Sequence, residues 1–225
     1  MIPEAVHIPV AAGAVLEGDL GVVEGAMGLV LFAHGSGSSR HSPRNRAVAA
    51  ELRRRGLATL LADLLTVDED RADSATGQLR FDMGLLAQRL SAITAWATLQ
   101  PATESLPMGY FGASTGAGAA LIAAAEGSRD VRAVVSRGGR PDLAGDELAL
   151  VQAPTLLVVG GADPVVLDLN RAAQRRMRAE TELAIVPGAT HLFEEPGALE
   201  QVAALAGDWF VHHLPVAPRP QGSGR

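Results

Sequence analysis

The stretch Met108-Gly109-Tyr110-Phe111-Gly112-Ala113-Ser114-Thr115-Gly116-Ala117-Gly118-Ala119-Ala120-Leu121 decides how the chain is read. It opens as an apolar strand, Met108 to Gly112, and continues into an alanine-rich helical run, Ala117 to Ala125. Between the two stands G-x-S-x-G, Gly112 to Gly116. A strand that turns into a helix at a single residue strains the backbone there, lifts that side chain above the sheet and tolerates only small neighbours. Gly112, Ala113, Gly116 and Gly118 meet that demand. The side chain so presented is the Ser114 hydroxyl, and the helix start beneath it offers N–H groups and a partial positive charge to a developing anion. Taken alone, the pentapeptide is also compatible with a glycine-rich helix start that does no chemistry.

Outward from this turn, strands alternate with helices. Met27 to Ala33 is a continuous apolar run, as in a strand covered on both faces, and it leads into the loop HGSGSSRHSPRN. Helical spacing over Asn45 to Arg55 stops at Gly56, and Leu57 to Leu65 reads as the next strand. Val67 to Gly77 is acid-rich and reads as a solvated loop, or else as a mobile flap over a substrate. Leu85, Leu86, Leu90, Ile93 and Trp96 put one apolar stripe on a helix spanning Phe81 to Leu99. Strands at Val131 to Val135, Thr155 to Val159 and Glu182 to Val186 interleave with helices at Leu169 to Met177 and Leu199 to Val211. Two earlier strands, Ala5 to Val10 and Ala14 to Val23, read as a hairpin at the sheet edge. The pattern predicts an α/β fold: a mostly parallel sheet with an N-terminal antiparallel hairpin, helices on both faces, and ligands at the carboxyl ends of the strands. One domain is expected over 1–214, with a flexible tail over 215–225 that is rich in Pro, Gly and Ser.

Composition narrows the function classes. With 225 residues, 48% hydrophobic and 20% charged, the chain is of ordinary globular make-up. A net charge of −6 repels phosphate backbones, so nucleic acid is not an expected partner. No cysteine is present, which excludes disulfides, thiolate metal sites and a cysteine nucleophile. Apolar runs such as Gly28 to Ala33 fall far short of the roughly 20 residues of a membrane helix, and the N-terminus lacks a signal-like pattern, so no membrane association and a cytoplasmic location are expected.

A serine hydroxyl needs a base to take its proton, and the base needs a carboxylate to orient it. Both follow in the chain. The strand at Thr155 to Val159 ends in Gly160-Gly161-Ala162-Asp163-Pro164, and the last strand ends in Pro187-Gly188-Ala189-Thr190-His191. Asp163 before a proline also suits a plain helix cap. The order Ser114, Asp163, His191 and the three strand-end positions together point to a triad. An oxyanion hole needs two donors, and the amides of Thr115 and of Ser36 in His34-Gly35-Ser36-Gly37-Ser38 are the candidates. A phosphate-cradling reading of that loop fails for want of the G-K-[ST] ending.

Three weaker candidates are substrate contacts. Arg137, after a strand, either clamps a substrate carboxylate or makes a structural ion pair. Glu69 lies with Asp70 and Arg71 on the polar segment, and His41 lies on the loop after the first parallel strand. No His/Asp/Glu cluster has metal-ligand spacing, so no metal or other cofactor is expected.

The motifs HGSGSS, GASTG, GGADP and GATH resemble those of the α/β-hydrolase superfamily, and within it the small, lidless dienelactone hydrolase-like group, over nearly the whole chain apart from the tail. The resemblance implies an α/β-hydrolase fold without a cap domain. It also implies a serine hydrolase that cleaves a small carboxylic ester or lactone through an acyl-enzyme. Dienelactone hydrolases carry cysteine as nucleophile, whereas this chain has Ser114, which suggests a carboxylesterase-like activity. A thioesterase or amidase on the same triad, and a ligand-binding protein that keeps the fold without catalysis, are the alternatives.

Overall fold

The computed structural model describes residues 2–127 and 131–214. The tail expected at 215–225 lies outside the described residues. Eight strands, β1 (Glu4–Pro9), β2 (Val15–Gly21), β3 (Leu29–Ala33), β4 (Ala58–Ala62), β5 (Met108–Ala113), β6 (Val131–Arg137), β7 (Thr155–Gly160) and β8 (Thr181–Val186), form one sheet in the order β1-β2-β4-β3-β5-β6-β7-β8. β1 and β2 make the expected antiparallel hairpin, with Ile8 opposite Leu16, and β2 joins β4 antiparallel. Every later pairing is parallel.

The continuous apolar runs form strands covered on both faces. Along β3, Leu29, Leu31 and Ala33 enter one core with Tyr110 and Val134, while Val30 and Phe32 enter the other with Phe111 and Val135. The Phe32 and Phe111 rings lie 4.8 Å apart, cross-linking neighbouring strands in the second core. Helices α1 (Pro43–Arg54), α2 (Val67–Thr76), α3 (Met83–Ala97), α4 (Thr115–Glu126), α5 (Pro164–Arg176) and α6 (Ala198–His213) follow in chain order. Leu86, Leu90 and Ile93 of α3 and Ala120 and Leu121 of α4 cover the first face. Val48 and Leu52 of α1 and Val202 and Phe210 of α6 cover the second. Among the described residues no cap domain stands over the carboxyl ends of the strands, as expected of the lidless group.

Helix α2 overturns one expectation. Val67 to Gly77 is not an irregular solvated loop: it is a helix closed at both ends. Thr66 Oγ1 accepts from the Glu69 amide while Glu69 Oε2 accepts from the Thr66 amide, a reciprocal cap, and Gly77 ends the helix at φ 66°. Its acid-rich first turn, Asp68 to Asp70, suits the positive end of the helix dipole. Asp73 is its one buried residue, and charge takes the place of an apolar face there. The Arg80 Nε donates to Asp73 Oδ2 at 2.5 Å and the Leu79 amide to Oδ1 at 2.6 Å. Burial alone would push this carboxyl up, but the Arg80 guanidinium and the Leu79 and Arg80 amides hold it below the ordinary range.

The depressed value fixes the sign of a pH effect. The stability Asp73 contributes is full above the unfolded value of about 3.9 and is lost as pH falls through the lower folded value. Asp73→Ala is expected to lower the unfolding midpoint by a few degrees at neutral pH and to speed amide exchange over 67–81. The difference from wild type should shrink on the acid side, as pH titrations of thermal unfolding with hydrogen exchange will show.

Candidate active site

The turn between β5 and α4 is as sharp as its small residues allow. Ser114 stands alone between strand and helix at φ 51°, ψ −122°, a left-handed conformation that costs a non-glycine residue about 1–3 kcal/mol. Its surroundings hold it there. The Ser114 amide donates to the Arg137 carbonyl at 3.2 Å, and the Ser114 carbonyl accepts from the Arg140 amide at 3.0 Å. A Cβ on Gly112 would lie 2.5 Å from Ala117 Cα, and one on Gly116 would lie 2.3 Å from the Ala33 carbonyl oxygen. Both positions therefore admit only glycine, for reasons of close approach.

Asp163 and His191 arrive together. The Gly161 amide donates to the Val186 carbonyl at 2.8 Å and the Ala162 amide to the Ala189 carbonyl at 2.9 Å, clamping the loop after β7 to the loop after β8. Gly160 lets the two chains touch: a Cβ there would lie 2.3 Å from the Ala189 carbonyl oxygen. Asp163 makes two contacts, one to a helix start and one to the histidine. Oδ1 accepts from the Val166 amide at 3.4 Å, capping α5, whose proline start makes the helix begin five residues earlier than periodicity suggested. Oδ2 lies 2.8 Å from His191 Nδ1, and His191 Nε2 lies 3.4 Å from Ser114 Oγ. With Nδ1 donating to the carboxylate, Nε2 carries the lone pair that faces the serine hydroxyl. The His191 side chain keeps 38% of its surface exposed, so the group opens to solvent.

The two candidate oxyanion donors are neighbours in space. The Ser36 amide donates to Thr115 Oγ1 at 2.8 Å, so it is held by the threonine hydroxyl rather than free. A Cβ on Gly35 would lie 3.0 Å from Ser114 Cβ, which places the loop after β3 against Ser114. His34 fixes that loop from its other side: the Leu64 amide donates to His34 Nε2 at 3.1 Å, leaving Nδ1 to donate to the Gly35 carbonyl at 3.0 Å.

The weaker candidates fare differently. Glu69 has one oxygen in the α2 cap and the other 2.7 Å from Arg89 Nη2, so both oxygens have partners within the protein. His41 is exposed, with Nδ1 2.6 Å from Arg46 Nη2, and that arginine also meets Asp19 on β2. Neither side chain joins the Ser114, Asp163 and His191 group. Arg137 is buried beside it, and the alternative of an ion pair to a neighbouring acid fails, because no carboxylate among the described residues pairs with it. Sequence reasoning assigned no role to Gly160, whose signal is a Gly-Gly pair at a strand end, or to Thr190, which donates to Glu195 at 2.6 Å next to the histidine. Among the described residues no group of three or more His, Cys, Asp or Glu is placed to hold a metal ion, and no helix is long and apolar enough to cross a membrane.

The model of the Dienelactone hydrolase family matches residues 25–210, a span that contains all three residues of the group. The chain belongs to that family. A crystal structure of a dienelactone hydrolase from Anabaena variabilis is 55% identical, covers 95% of this chain and 100% of its own, and superposes with a TM-score of 0.92. A lidless α/β serine hydrolase from Xanthomonas campestris, 19% identical over 97% of this chain and 98% of its own, shares the fold at a TM-score of 0.74. A Mycobacterium tuberculosis protein that carries the name "Putative phosphoribosyl transferase" is 61% identical over 96% of this chain but only 48% of its own length. The chain thus spans about half the length of the curated relatives it matches.

Proposed function

We propose that this member of a hydrolase family cleaves a small carboxylic ester or lactone through an acyl-enzyme on Ser114. The observation that carries the reading is the contact chain from Asp163 Oδ2 through His191 to Ser114 Oγ, 2.8 and 3.4 Å, at a strained strand-to-helix turn. Ser114 Oγ attacks the carbonyl carbon as His191 Nε2 takes its proton, and Asp163 keeps the imidazole in the required tautomer and steadies its charge. The tetrahedral oxyanion sits at the start of α4, with the Thr115 amide as one donor and the Ser36 amide as the other, the Thr115 hydroxyl turning aside. His191 then returns the proton to the leaving alkoxide, and the same imidazole activates water for deacylation. The open face around His191 suits short acyl groups. Thioesters and amides share this chemistry, and a panel of leaving groups ranks them. The longer mycobacterial relative's name refers to phosphoribosyl transfer; a hydroxyl, imidazole and carboxylate in series supply acyl transfer, and that is the reaction assigned to this chain.

The test is covalent. A fluorophosphonate probe added to the folded protein is expected to label Ser114 and no other serine, with loss of short-chain aryl esterase activity in step with labelling. Folded protein that stays unlabelled while turning over no ester would support the ligand-binding alternative instead.

A further inference from the structure

Asn170 is fully buried in the middle of α5, on the covered face of that helix with Val166, Leu167 and Ala173. On stability alone an asparagine is a poor choice there. It is a weak helix former, and its Oδ1 is buried with no partner among the described residues. Leucine, branched at the same carbon, would cost less on both counts. What the amide supplies is reach: Nδ2 donates to the Val166 carbonyl one turn back at 2.8 Å and, outside the helix, to the Gly139 carbonyl at 3.0 Å.

Gly139 stands in the turn after β6, which borders Ser114. Its carbonyl shares one peptide unit with the Arg140 amide, and that amide donates to the Ser114 carbonyl at 3.0 Å. A peptide unit is planar, so fixing its oxygen fixes the direction of its N–H. The turn is also closely packed: a Cβ on Gly139 would lie 2.6 Å from Ala117 Cβ, and one on Gly138 would lie 3.6 Å from His191 Cε1. Asn170 therefore reaches Ser114 through a single rigid unit, at the residue whose φ of 51° needs outside support. About two turns back along α5, the same helix is capped by Asp163, whose Oδ2 meets His191.

We propose that Asn170 is a positioning residue: by holding the Gly139–Arg140 peptide it sets Ser114 Oγ against His191 Nε2, whose own place is set from the start of the same helix. The inference rests on the hydrolase reading, because it concerns the geometry of that reaction. Asn170 bonds to backbone carbonyls and not to Ser114, Asp163 or His191, so its influence on them is indirect. Without its donor the Gly139 oxygen would be buried and unanswered, and the peptide that steadies Ser114 would turn to find another partner.

The test compares the whole chain as wild type, Asn170→Leu and Asn170→Asp. Leucine keeps the branching and removes the donor. Asn170→Leu is expected to melt within a few degrees of wild type, while kcat for a short-chain aryl ester falls by about tenfold to a hundredfold and KM stays within about twofold. Labelling of Ser114 by a fluorophosphonate is expected to slow by a similar factor. Asn170→Asp keeps the shape, and burial between two carbonyl oxygens favours its neutral form, which still offers one O–H to Gly139. That variant is expected to work near the wild-type rate at neutral pH. It should then lose activity on the alkaline side, where wild type does not, as its carboxyl ionises and the donor disappears. A residue that only filled space would give neither the split between kcat and KM nor this rescue. If Asn170→Leu folds poorly, the pH profile of Asn170→Asp decides: a profile parallel to that of wild type would overturn the inference. Wild type that turns over no ester and takes no label removes the hydrolase reading and this inference with it. Active wild type beside an Asn170→Leu protein of equal kcat and labelling rate removes this inference alone.

Discussion

Ser114→Ala is expected to lower kcat for a short-chain aryl ester by about ten-thousand-fold or more, with the unfolding midpoint essentially unchanged. The two halves of this result have separate causes. Turnover collapses because the hydroxyl that stands 3.4 Å from His191 Nε2 is gone. Stability holds because the Ser114 side chain caps nothing in α4, and alanine meets the same positive φ with the same Cβ. His191→Ala should cost about as much, and the double variant little more, since in the proposed reaction the two residues act as one unit. Stopped assays with saturating ester and calorimetry on the same samples measure both; a Ser114→Ala protein that works at the wild-type rate would remove this serine from the chemistry.

The largest structural effect is expected one turn further on. Gly116→Ala adds a methyl group whose carbon would lie 2.3 Å from the Ala33 carbonyl oxygen and 2.4 Å from that of His34. Both neighbours are backbone, so no side chain can swing away, and β3 or α4 has to move. A loss of at least about 3 kcal/mol is expected, enough to leave a large fraction of the chain unfolded if its stability is ordinary. Gly37→Ala is the contrast: nothing lies within 4 Å of its added Cβ, and its strain comes only from φ 70°. Denaturant titration of the two variants separates collision from backbone strain, and a Gly116→Ala protein as stable as wild type would mean that the packing of α4 under β3 is looser than described.

What the sequence showed and hid follows from which interactions are local. GASTG, GGADP and GATH were legible because each is a strand end with small residues around one polar side chain, a pattern written in consecutive letters. Helix α2 was hidden from periodicity because it has no apolar stripe; it docks through Asp73 to Arg80 and Glu69 to Arg89. Its signal was present in the other alphabet, the Thr66-x-x-Glu69 cap. The start of α5 is likewise spelled by Asp163-Pro164, a cap followed by a helix-starting proline. Two features could not be read at all. The Ser36 amide is held by a hydroxyl 79 positions away, and Arg137 reaches a helix 92 positions back, so neither partner exists until the sheet has formed.

The clamp between the ends of β7 and β8 has a mechanical consequence. Asp163 and His191 are tied together through their loops, while the Ser114 hydroxyl belongs to another part of the sheet, across β6. The joint between these pieces runs through the 3.4 Å gap from imidazole to serine. A shift of one piece against the other is therefore expected to lengthen that gap before it disturbs the 2.8 Å contact behind it.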